Sequence, residues 1–361
     1  MIIPLDLKIM KVNKRVLVPA LLCVAALVYF FLNYIPLEKE LQLTPEWTAD
    51  ISETPETDGG ERLPFRLGRN LGYFSPAGKI SLLKRIPYKA TISKDFFALY
   101  DHDARGIQVF DSEGKQKCEI EGAGFPFIQD ERIFLMLPGG NSFAFVESEG
   151  GNLASVFESS APITSFCSSK SGAAVGYANG DFLVFAPDGK LKFTLNPGAS
   201  DFPVILGGAI SNGGKMFACV SGQEPQRIVL YRDEENYQKI IFHQNLEKSL
   251  ARQTFVHFSR NDGFVYFDTA DSLMIIDTER LEAKLVPLGG AVLDIQESEV
   301  ANSVFVLSRN GKNYAVTILE NFDEVAGGFK FEAENAFILA EGNSLYVGRD
   351  EKISRLKISK E

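Results

Sequence analysis

Cysteine, histidine and tryptophan are all scarce in this chain: 361 residues contain four, three and one of them. Cys23, Cys118, Cys167 and Cys219 are far apart, with no C-x-x-C and no Cys/His spacing, which excludes a zinc finger and a disulfide framework and leaves at most one bridge. Cys118, Cys167 and Cys219 each fall in a strand-like run (KCEI, SFCSS, FACV), where a small buried hydrophobe is the expected role. His102, His243 and His257 have no spacing relation, so they form no ligand set in the sequence. Excess positive charge is also missing. Lys and Arg total 37 against 47 Asp and Glu, for a net charge of −10, and the only basic bias is Lys8, Lys11, Lys14 and Arg15 at the N-terminus. Such a balance repels polyphosphate and gives nucleic-acid binding no electrostatic footing.

Motifs of recognised chemistry are absent too. Asp101-His102-Asp103-Ala104-Arg105-Gly106 has the beginning of a calcium loop, but Arg105 stands where the third acid should be and Ser112 at the twelfth position; it reads as a hairpin turn. The stretch from Gly207 to Lys215 has Ala209 in place of the first P-loop glycine and Met216 in place of the magnesium-binding hydroxyl. No G-x-S-x-G elbow occurs, and the Trp-terminated turns of sialidases are impossible with no tryptophan after Trp47. The sequence therefore names no catalytic residue, no cofactor site and no metal site.

What is present comes in three parts. Residues 16–37, VLVPALLCVAALVYFFLNYIPL, carry no charge and match the length of a membrane-crossing helix. Basic residues before it and Glu38 and Glu40 after it place a cytoplasmic tail at 1–15, a transmembrane helix at 16–37 and the rest outside, in the periplasm of a two-membrane cell. A cleaved signal peptide is the competing reading, against which stand the length of the run and its bulky end. Residues 38–62, rich in Asp, Glu, Pro and Gly, have the composition of a flexible linker.

From 63 to 361 the pattern repeats. Strand-like runs ending in an acidic or glycine turn begin at 106 (GIQVFDSEG), 141 (NSFAFVESEG), 181 (DFLVFAPDG), 226 (QRIVLYRDE), 271 (DSLMIIDTE), 312 (KNYAVTILE) and 351 (EKISRLKIS). Most have apolar strand-like partners upstream and another after the turn, such as KMFACV before and YQKIIF after the fourth. Four short strands in each unit of about 40 residues is the repeat of a β-propeller blade. Seven blades result, with six to eight compatible with the spacing. The seventh unit ends after its third strand, so an N-terminal strand, assigned to KISLLKRI at 79–86 after the turn SPAG, is expected to close the ring.

The units resemble those of WD40-type and quinoprotein-type propellers: VFD at 109–111 and IID at 275–277 stand where WD40 repeats end in Trp-Asp. No blade has Trp-Asp, and the docking tryptophan of each quinoprotein blade is missing. The resemblance implies the fold and no activity. The expected function is a membrane-anchored, non-enzymatic platform for protein partners of the cell envelope, held at the cytoplasmic membrane. A ligand or glycan sensor, and a hydrolase or lyase with residues dispersed over loops, are the alternatives. Asp101, His102, Asp103, Arg105, Gln223 and Glu224 lie on connections that reach a rim and are the expected contact residues.

Overall fold

A computed structural model describes residues 14–32, 39–52, 60–102, 105–129, 131–235 and 237–360. Among them, Leu41–Lys360 forms one compact unit, and the single α-helix, Lys14–Leu32, belongs to another. That helix corrects the expected membrane span. Lys14 and Arg15 occupy its first turn, and the uncharged remainder covers about 26 Å at 1.5 Å per residue, short of the roughly 30 Å hydrocarbon core. No helix among the described residues is long and apolar enough to cross a membrane. Residues 33–37 of the expected span lie outside the described residues.

The strands build eight antiparallel sheets, one more than the repeat count, arranged as the blades of a propeller. Seven have four strands and the additional one, blade 1, has three: Leu63–Leu67, Asn70–Phe74 and Ile80–Arg85. The segment 79–86 therefore does not close the ring; it is the outer strand of a blade of its own. The closing strand is Leu41–Asp50, inside the stretch whose composition reads as a linker. It pairs antiparallel with Lys352–Lys360 to complete blade 8, from Leu41↔Lys360 to Asp50↔Lys352.

A bulge between Pro45 and Trp47 explains how so polar a segment serves as a strand. It turns Glu46 onto Arg355, with Oε2 3.1 Å from Nε, while Leu41, Leu43 and Trp47 pack inward. Proline here costs little, because a strand with a free outer edge can spare a donor.

Central strands of the blades are nearly continuous apolar runs, such as Ser142–Val146 and Gly172–Tyr177, because both their faces are covered by neighbouring blades. Outer strands return to alternation, as in Leu153–Glu158. The core lies between blades. Phe134, Phe143 and Phe145 of blade 3 meet Tyr177 and Phe185 of blade 4, with Phe143 edge-on to Phe185 at 5.2 Å. Cys118, Cys167 and Cys219 are buried thiols within these layers.

Two faces follow from the topology. Turns between second and third strands, together with the links from blade to blade, lie on one face, the connection face. Turns between first and second, and between third and fourth strands, lie on the other, the hairpin face. Blade 1 is unusual in direction. Gly68, after its first strand, lies against Asn335 of the link between blades 7 and 8 on the connection face. Glu61, before that strand, pairs with Lys94 on the hairpin face, which also holds Glu341. Leu63–Leu67 thus runs in the sense of the second strands elsewhere, and no described residue takes the innermost first-strand place in blade 1.

Candidate protein-docking face

The connection face over blades 2 and 3 carries a cluster of exposed rings. Tyr88 comes from the link between blades 1 and 2, a tight passage set by Pro87. Tyr100, Asp101 and His102 come from the turn between the second and third strands of blade 2, and Phe125 opens the first strand of blade 3. The His102 ring lies on Tyr88, centroids 3.7 Å apart, and Tyr100 meets Phe125 at 6.0 Å. Lys89 holds its ammonium 5.5 Å from the Tyr88 centroid and 5.7 Å from that of Phe125.

Tyr88 is 40% and Phe125 43% exposed, large values for rings already engaged with one another. Burial pushes the Tyr100 hydroxyl pKa up, against the nearby Arg66 cation, so Tyr100 stays a neutral donor. Arg66 is itself tied to the Ala90 carbonyl at 3.2 Å. The Asp101 carboxylate accepts the backbone N–H of His102 at 2.8 Å and so fixes the turn that presents the imidazole.

Of the residues expected from sequence, Asp101, His102 and Arg105 fall in this sector, and Asp103 lies outside the described residues. Gln223 and Glu224 share the same face but belong to blade 5, three blades away. Their turn is bound to the link between blades 4 and 5: both backbone N–H groups donate to Ser200 Oγ at 3.3 Å, and the Asp201 N–H donates to the Glu224 carbonyl at 3.0 Å. Ser249 of the next link donates to the Gln223 carbonyl at 2.7 Å. The two sets therefore occupy one face and two separate places. Sequence reasoning missed Tyr88, Lys89, Tyr100 and Phe125. The Pro87-Tyr88-Lys89 and Phe125-Pro126 pairs were the available signal, since a proline beside an aromatic residue marks a strand end rather than its buried middle.

The hairpin face has a different character. Its third-to-fourth strand turns carry Glu147, Asp188, Asp233, Asp277, Glu282 and Asp323, among other acids. One further polar cluster joins the innermost strands of blades 6 and 7. His257 Nε2 is 3.1 Å from Glu297, whose carboxylate also accepts the Arg260 N–H, and Gln296 Nε2 donates to Asp294 at 3.0 Å. Asp294 is half-buried as a residue, but its carboxyl is enclosed by protein, which pushes its pKa up to about 6. Among the described residues no group of three or more His, Cys, Asp or Glu is placed to hold a metal ion.

Comparison with known proteins agrees with the architecture. The chain is 28% identical over 343 residues to an uncharacterized protein of Treponema pallidum (strain Nichols), covering 92% of this chain and 91% of that one. Among solved structures it resembles BamB from Moraxella catarrhalis, with a TM-score of 0.60 at 11% identity, covering 88% of this chain and all of that one. It also resembles the computationally designed Ika8 protein, with a TM-score of 0.62 at 11% identity, covering 86% and 98%. At such identity these two likenesses bear on fold alone. A family model described as "beta-propeller protein" matches residues 7–361, nearly the whole chain, and the chain belongs to that β-propeller family.

Proposed function

We propose that the protein is a non-enzymatic interaction platform that holds a protein partner on the connection face of blades 2 and 3. The exposed cluster of Tyr88, His102 and Phe125 around Lys89 carries this reading. Rigid aromatic rings offer large contact area at low entropic cost and are enriched where proteins dock. Here they project from short links braced by the blades, so little conformational freedom is lost on binding. On the hairpin face, by contrast, His257 is engaged with Glu297, and Asp188 and Asp323 with Lys190 and Lys284.

In-cell crosslinking and purification of the full chain, in parallel with Tyr88→Ala/Phe125→Ala, tests this. The expected result is a reproducible partner that the double variant loses while its melting temperature is unchanged. A partnerless chain, or a partner retained undiminished by the folded variant, would overturn the proposal.

A further inference from the structure

Beside the aromatic cluster, at the seam of blades 8 and 1, the connection face opens into a groove of about 670 Å³. Arg69 and Asn70 line it from the first turn of blade 1, Arg349 and Lys352 from the blade 8 turn, and Asn335 from the preceding link. Arg69 and Arg349 are exposed and make no side-chain hydrogen bond or ion pair among the described residues. Lys352 is exposed and has only the attraction of the nearby Asp50 carboxylate. Most other arginines of the propeller are engaged, as Arg355 is with Glu46 and Arg252 with Asp268.

The groove's own acids are partly spoken for. The Asp350 carboxylate accepts the N–H groups of Glu334 and Asn335 at 2.8 and 3.2 Å, and Glu334 pairs with Lys312. Among the described residues Glu351 has no such partner, and its presence beside the arginines disfavours a uniformly anionic strand such as nucleic acid. Guanidinium forks match carboxylates in geometry, and the amides of Asn70 and Asn335 can serve a peptide backbone as donor and acceptor at once.

We infer that this groove binds an extended, acidic segment of the partner protein, Arg69 and Arg349 each receiving a carboxylate. The inference rests on the platform reading and extends its docking surface from blade 2 across blade 1 to blade 8. Arg85 and Lys89, both exposed at the strand ends that flank the link between blades 1 and 2, continue the positive strip.

The test uses the full chain and a fluorescein-labelled peptide of alternating glutamate and serine, with a lysine–serine peptide of equal length and duplex DNA as comparisons. The glutamate peptide should bind saturably and more weakly as salt rises. Its Kd should rise about tenfold for Arg69→Ala and again for Arg349→Ala, the usual loss when a charge-assisted bond is removed. Lys190→Ala, on the hairpin face, should leave it unchanged. No saturable binding, equal weakening by Lys190→Ala, or tighter binding of DNA would each overturn the inference. If the peptide fails to bind while Tyr88→Ala/Phe125→Ala still loses the cellular partner, the groove alone is ruled out; failure of both removes the platform as well.

Discussion

The seam between blades 8 and 1 and the seam between blades 4 and 5 join neighbouring sheets by different means. Between blades 4 and 5, strands close in sequence pack glycine backbone directly against the side chains of the neighbouring blade. Gly176 and Gly208 leave no room for a side chain: a Cβ on the first would fall 2.4 Å from Ile205, and on the second 2.6 Å from Phe182. Thr164 donates to the Ile205 carbonyl at 2.6 Å, and Ser169 to that of Ser211 at 3.2 Å. Between blades 8 and 1 the work passes to long side chains from distant parts of the sequence. The Trp47 indole donates to the Pro76 carbonyl at 3.2 Å, Arg355 reaches the same oxygen at 3.3 Å, and Lys94 gathers Glu61 and Glu341. The close-packed seam leaves little open surface, whereas the side-chain seam opens onto the groove. The groove proposed to bind thus lies where the ring is joined, not where it is tightest.

That contrast can be broken most forcefully by removing Leu41–Asp50. Blade 8 would then expose the edge of Lys352–Lys360, and two inter-blade clusters would lose Leu41, Leu43 and Trp47. The expected result is loss of a cooperative thermal transition in near-UV circular dichroism. Trp47→Ala is the gentler version. It deletes a half-buried indole in contact with Phe74 and Tyr346, and should cost about 3 kcal/mol in chemical denaturation.

On the other seam, Gly176→Ala should cost about 2 kcal/mol by forcing blades 4 and 5 apart at Ile205, although the substitution adds a single methyl. If Gly176→Ala proves harmless and Trp47→Ala severe, the tight packing is incidental and the ring is held by its closure.

The smallest effect concerns charge rather than packing. The folded Asp294 carboxyl keeps its proton up to about pH 6, whereas the unfolded chain releases it near 3.8. The folded state binds more protons across that interval, so this group's contribution to stability falls as pH rises from about 4 to 6 and is constant above. Asp294→Asn, which mimics the protonated form, should therefore stabilise the protein by about 1 kcal/mol at pH 7, with the gain vanishing below pH 4. A gain that persists at pH 4 would assign the effect to packing.

The blade pattern is legible in the sequence because burial between neighbours imposes apolar runs such as FLVF at 182–185 and outer alternation such as LASVFE at 153–158. The turn SPAG also reads correctly as a link to an outer strand. What misleads is the count: blade 1 lacks the full set of four strands, so 79–86 reads as a spare strand for the last blade. The true closing strand is hidden because Pro45 and Glu46 at the bulge interrupt its alternation and imitate a tether. The helix is a problem of length: of the uncharged run 16–37, the described helix holds 16–32. At the candidate site, Asp101 and His102 stand out as a polar turn, whereas Tyr88 and Phe125 look like core residues until the ring brings 88, 102 and 125 together.

The pairing of Leu41 with Lys360 also has a consequence in time. A ribosome adding about 5–20 residues per second makes the closing strand first and its partner last, tens of seconds apart. Through that interval Leu41–Asp50 is a strand with no sheet, and Leu41, Leu43 and Trp47 are apolar groups with no cover. The charged and bulged centre of the segment, Pro45-Glu46, then protects the nascent chain, since a bulge and a proline make a poor template for pairing with the wrong edge. The features that disguise this segment as a linker are those that let it wait.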